Sequence, residues 1–236
     1  MRLRLYTLRA AGLEKPDLFV LNAMDEPGWQ RFVAGLRPAF EAQLKGDVSA
    51  EMPAPDEKVL DQLAPMLQQS HWLMAAVAPR GVGPGAWSGD EKKQTQLRRR
   101  FMLIGQTVET MQAWDVRRAA QALRTLPGAK HAPLRLQAHD EMAGVALYAA
   151  LFEPAVTRLH LWNLPKSHMQ GPHFLNVLRV LDVPQTLAMV AERCSVRLYQ
   201  DTSGGWEFAQ QTAQKLGWPE QQVEVRAAPP EPAAGK

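Results

Sequence analysis

The 236-residue sequence has one cysteine, Cys194, so no disulfide can form within the chain. A lone thiol fits a reducing compartment without fixing one. Its place beside an apolar run reads as a plain core position. No apolar run is long enough to span a bilayer. The opening MRLRLYTLRA lacks the apolar block of a secretory signal and alternates like a strand. Charge of one sign is also scarce: 27 basic residues against 24 acidic leave +3, too little to indicate a nucleic-acid partner. Internal repeats are absent. Histidine stops at His173, and nothing after that position can supply an imidazole.

Hydrophobic residues make up 46% of the chain, enough for a substantial core. Their pattern alternates between two periods. Residues 2–9 read as an edge strand, with Leu3, Leu5 and Thr7 on one face. Residues 17–24 (DLFVLNAM) are a continuous apolar run, as expected of a central strand covered on both faces. The loop DEPGW leads into helical spacing at Phe32, Leu36 and Phe40. A helix over 57–69 carries Val59, Leu60, Leu63 and Leu67 as its inner stripe. Strands follow at 71–78, 134–138, 156–164, 194–200 and 222–226. A long helical pattern covers 98–126, and a further helix covers 206–216. This order predicts a single α/β domain over 1–226. Its mostly parallel sheet would be covered by helices on both faces, a three-layer α/β/α sandwich. The stretch 227–236 is small and Pro-rich and reads as a disordered tail.

In such sheets functional groups gather beyond the carboxyl ends of the strands. Those ends fall at 24–29, 79–87, 139–142, 163–173 and 201–206, where Gly, Pro, His, Asp and Trp concentrate. Arg80 sits in one of these turns and is expected to be buried and paired, with Asp115 as the candidate acid. Trp29, Trp87, Trp162 and Trp206 either line a cleft suited to a sugar or pack the core. His160, His168 and His173, with Asp201 or Glu207, match no zinc spacing, so no metal is expected. GVGPG at 81–85 lacks the Lys-Ser/Thr of a phosphate loop, and Pro84 removes an amide such a loop needs, so no cofactor is expected. The basic run from Lys92 to Arg100 has no interleaved aromatics and reads as a solvated helix face or partner surface.

The stretch 134–151, LRLQAHDEMAGVALYAAL, combines a buried strand, a sharp turn and a small-residue helix. That is the layout of a nucleophile elbow. Together with APRGVGPGAW, WDVRRAAQAL and LDVPQTLAMVAERCSVRLYQDT, it makes residues 70–215 resemble the α/β-hydrolase superfamily, specifically its acetyl-xylan-esterase and prolyl-oligopeptidase-like branch. The resemblance implies a sheet of seven to eight strands. It also implies relatives that are often secreted or periplasmic, and a chain either trimmed at its early strands or drawn from the C-terminal part of a longer protein.

A working member needs nucleophile, acid and histidine in that order. Here Asp140 takes the nucleophile position; shifting the register by two residues puts Met142 there instead. Asp201 takes the position of the acid, and no histidine follows it. The resemblance therefore implies a non-catalytic relative, a binding pseudoenzyme for a carbohydrate or acyl ester. The alternative is an active hydrolase. Its nucleophile would be Asp140, or a displaced Ser167 or Ser203, with His168 or His173 as base. Its oxyanion hole would use the amide of Glu141 and one near Met24 or Asp25.

Overall fold

The computed structural model describes residues 3–47, 52–87, 90–202 and 204–228, and lays seven strands in one sheet. In chain order they are β1 (Leu5–Arg9), β2 (Leu18–Ala23), β3 (Trp72–Val77), β4 (Leu134–His139), β5 (Arg158–Trp162), β6 (Ser195–Gln200) and β7 (Val223–Ala227). Their spatial order is β1-β3-β2-β4-β5-β6-β7. β1 runs antiparallel to β3 at one edge, and every other pairing is parallel.

Each parallel step needs a crossover, and helices supply it. They are α1 (Glu26–Leu44), α2 (Glu57–Gln69), α3 (Glu91–Leu103), α4 (Val108–Leu123), α5 (Asp140–Leu151), α6 (Val183–Ala191) and α7 (Glu207–Lys215). α4, α5, α6 and α7 pack side by side as one layer. The face beneath them is apolar in β2, β4, β5 and β6: Phe19 and Leu21, Leu134 and Leu136, Leu159 and Leu161, Val196 and Leu198 are all buried. Burying each such side chain contributes roughly 1.5–3 kcal/mol. α1 and α2 pack together on the other side, over β1, β3 and β2. Only β2 is covered on both faces along nearly its whole length, which is why its sequence is a continuous apolar run. β4, β5 and β6 instead alternate buried with half-buried or exposed residues.

The α/β class and the seven strands agree with the sequence reading, but several boundaries differ. The pattern over 98–126 is two helices. Gly105 turns the chain at φ +75°, and Thr107 caps α4 by accepting a hydrogen bond from the Thr110 amide at 3.1 Å. DEPGW is not a loop: Asp25 accepts from the Gly28 amide at 2.8 Å and starts α1 there. α1 buries Trp29, Val33 and Leu36. Phe40 lies at a kink (φ −129°) two residues after Pro38, so it does not continue the stripe. In α2 only Leu67 is buried. Cys194 is a buried core thiol, pushed up to about 12 by burial. β7 ends at Ala227, the first residue of the expected tail, and 229–236 lie outside the described residues. Among the described residues, no helix is long and apolar enough to cross a membrane.

Candidate functional site

The strand order reverses at β2, whose neighbours are β3 on one side and β4 on the other. Loops leaving β2, β3 and β4 therefore diverge at their carboxyl ends, and a hollow of about 260 Å³ opens there. Asp25 and Glu26 come from the end of β2, Trp87 from the loop after β3, and Glu141 and Met142 from the start of α5. Arg98 from α3, Glu109 from α4 and His173 from the loop after β5 complete the wall.

Beside this wall lies the turn between β4 and α5, whose Asp140 is exposed and is not among the residues that line the hollow. His139 is still extended (φ −122°), whereas Asp140 has φ +50°, the left-handed region that side chains other than glycine enter at a cost of about 1 kcal/mol. The Asp140 carboxylate accepts a hydrogen bond from Asn163 Nδ2 at 3.1 Å. Asn163 follows the neighbouring strand β5 and also has φ +50°. Two strained residues at adjacent strand ends thus hold each other. Behind the turn, α5 comes close to the loop after β5. A Cβ on Gly144 would sit 2.2 Å from Pro172 Cδ.

Several groups set the shape of the hollow. Arg80 donates to Asp115 from its amide (3.0 Å), Nε (2.8 Å) and Nη2 (2.6 Å), as the sequence suggested. Its carbonyl accepts from Gln112 Nε2 at 3.0 Å, so the loop after β3 is pinned to α4. The Glu26 carboxylate accepts from the Gly83 amide at 2.7 Å and ties the same loop to α1. Trp87 is half-buried against Phe101, with ring centroids 5.7 Å apart, and its ring forms part of the wall.

The remaining sequence candidates separate. His168 is buried, and both its ring nitrogens are committed. Nδ1 donates to the Pro172 carbonyl at 2.7 Å, which leaves Nε2 to accept from the Tyr148 hydroxyl at 2.7 Å. Burial raises the Tyr148 phenol above its ordinary value. Ser167 Oγ donates to Asp182 at 2.6 Å. Asp182 also accepts from the His168 amide (2.7 Å) and the Val183 amide (2.8 Å) as the cap of α6. Burial pushes the Asp182 carboxyl up, but those three hydrogen bonds outweigh it and hold the group below its ordinary value. His168 and Ser167 therefore anchor the loop after β5, and only His173 faces the hollow.

Asp201 is exposed at the end of β6 and is not part of the wall. Trp206 is fully buried in the core and lines no cleft, as is Trp29. The Met24 amide is spent on the Val77 carbonyl at 3.0 Å, so it cannot serve as an oxyanion donor. Ser203 lies outside the described residues. Among the described residues, no group of three or more His, Cys, Asp or Glu is placed to hold a metal.

Sequence reasoning missed Asn163, Tyr148, Asp182, Arg98 and Glu109. Two of these carried a local signal. Asn directly after a strand tolerates left-handed backbone, and Asp-Val-Pro-Gln at 182–185 is a capping-box pattern.

No protein-family model matches the sequence, and no curated protein matches it. Solved structures do match it. One is a Bacteroides fragilis protein provisionally assigned as an acetyl xylan esterase, with TM-score 0.63 and 13% identity over 94% of this chain and 62% of that one. The chain thus spans less than two thirds of that protein's length. Another is a promiscuous CE15 esterase from a marine bacterial metagenome, with TM-score 0.60 and 11% identity over 96% of this chain and 72% of that one. A third is the acylaminoacyl peptidase of Pyrococcus horikoshii, with TM-score 0.56 and 13% identity over 96% of this chain and 35% of that one. At these identities the likeness is one of fold, and the fold is that of the α/β-hydrolases.

Proposed function

From the α/β-hydrolase fold as premise, we propose that this chain is a non-catalytic member that binds a carbohydrate, with or without ester groups, in the hollow above β2 and β4. One observation carries the reading. The apex of the turn after β4 presents a carboxylate tied to Asn163, while His168 has both ring nitrogens committed inside the loop. A serine-type acyl transfer needs a hydroxyl or thiol nucleophile with a free imidazole beside it. Removing members of such a unit costs several orders of magnitude in rate. The wall chemistry suits a neutral polyol: carboxylates of Asp25, Glu109 and Glu141 can accept from sugar hydroxyls, and Trp87 offers a flat apolar surface.

A second reading keeps Asp140 as an attacking carboxylate, and its strained backbone favours it. Asp140 would form an ester with the substrate carbon as the leaving group departs. A water activated by His173 would then release the product.

The test compares the native protein with Asp140→Asn on p-nitrophenyl acetate and on acetylated xylo-oligosaccharide. The expected result is no turnover above buffer in either protein. Calorimetry should show oligosaccharide binding that weakens at least about tenfold in Trp87→Ala. Turnover in the native protein that disappears in Asp140→Asn would establish the second reading and overturn the first.

A further inference from the structure

The sheet has one face that its own helices leave open. On that face β4, β5, β6 and β7 place Arg135, Arg158, Arg197 and Arg226, and the strand register sets Arg135 beside Arg158 and Arg197 beside Glu224. One carboxylate, Glu224, serves two of these arginines, at 2.6 Å from Arg197 Nε and 2.9 Å from Arg226 Nη2. Four cations less one anion leave +3 on this face, equal to the formal charge of the whole chain. Arg135 is half-buried over the Trp72 ring at 5.1 Å, and its Nε has no hydrogen-bond partner among the described residues. Burial, then the surrounding arginines, hold His160 neutral by lowering it to about 4. A groove of about 350 Å³, lined by Arg135, His160, Trp162, Arg197 and Tyr199, reaches the edge of α2 at Met66 and Leu67.

Parallel sheets are stable with both faces covered. Here α4–α7 cover one face, and α1 and α2 stop at β2 on the other. We propose that the open area is the docking site of an acidic amphipathic helix from a partner protein.

Charge decides the sign of the occupant. A second copy of this chain would bring four more arginines to the same face, and like charges placed together are costly. Ring geometry decides against single-stranded nucleic acid. His139, Trp162 and Tyr199 stack in a row, at 4.5 Å and 9° for His139–Trp162 and at 4.5 Å and 11° for Trp162–Tyr199, so both faces of Trp162 and one face of each neighbour are already used. A helix bearing leucines would fill the groove between α2 and Trp162. Its glutamates would reach Arg135, Arg158 and Arg226.

The probe is a fluorescein-labelled helical peptide with leucines at i, i+3, i+4 and i+7 flanked by glutamates. The controls are a twin with lysine for glutamate, oligothymidylate, and sedimentation of the protein alone. Arg158 and Arg226 are exposed, so Arg158→Gln/Arg226→Gln, which removes two charges without setting a second carboxylate beside Glu224, should keep the native melting temperature. Arg158→Gln alone repeats the test more mildly. The expected result is binding of the acidic peptide only, weakened by about tenfold or more in the double variant.

Three outcomes would overturn the proposal. The acidic peptide fails to bind, or binds the double variant equally well. Oligothymidylate binds and is lost in that variant. The protein self-associates and the variant does not. None of these bears on oligosaccharide binding at the strand ends, so this idea and the one above fail separately.

Discussion

The two faces of β5 can be compared residue by residue. Leu159 and Leu161 are fully buried beneath α5, while His160 and Trp162, between and beside them, look out over a groove that no helix among the described residues closes. One strand therefore follows two rules at a spacing of a single residue. The covered side is held by dry packing. The open side is held by stacked rings, one shared carboxylate and solvent. Stability resides on the first side, and the capacity to recognise another molecule is left to the second.

Substitutions can break or sharpen that contrast. Leu161→Ala should cost about 3 kcal/mol, because a fully buried leucine leaves a cavity among well-packed neighbours. Urea denaturation would read it as a lower midpoint at unchanged slope. Trp162→Ala, one position along, should cost only about 1.5 kcal/mol, the order of its lost stacking with His139 and Tyr199. Equal losses at 161 and 162 would mean that the open face is as load-dependent as the covered one.

His160 supplies a pH test. Its folded value of about 4 lies below the ordinary 6.5, so the unfolded chain takes up the proton first as pH falls. Its contribution is full above about pH 6.5 and is lost progressively down to about pH 4. Solvent screening leaves on the order of 1 kcal/mol. His160→Gln should remove that slope from a plot of urea midpoint against pH. An anion seated among the arginines should raise the folded value toward 6.5 and so shrink the loss. Smallest of all, Arg158→Glu should change stability by no more than about 0.5 kcal/mol, since the residue is exposed. A clear gain in melting temperature would show instead that the arginine cluster strains the sheet.

The same contrast explains what was legible in the chain. β2, the end of β3 and the start of α5 show themselves because burial on both sides writes continuous apolar or small-residue runs into the sequence. The break between α3 and α4 did not, because Gly105 and Thr107 sit inside an apolar rhythm that continues past them. The basic run from Lys92 to Arg100 is conspicuous in sequence, yet it lies on α3, a helix with no buried residue. Arg135, Arg158, Arg197 and Arg226 are dozens of residues apart and form a cluster only when the strands pair. At the candidate site Asp140 could be read locally, and the Arg80–Asp115 pair, 35 residues apart, followed from placing Arg80 in a turn at a strand end. The commitment of His168 could not, because it depends on Tyr148 of α5 meeting it from another segment and on the loop folding Pro172 back onto it.

Gly144 stands behind the hollow, not on its rim, yet it bears on the size of what could enter. With Pro172 only 2.2 Å from where a side chain would begin, even one methyl group there would drive the loop outward, carrying Gly171 and His173 away from Glu141. The width of the opening is thus governed by a carbon atom that is absent from the helix beneath it. A chain of this design can be retuned for a larger guest without altering any residue the guest would touch.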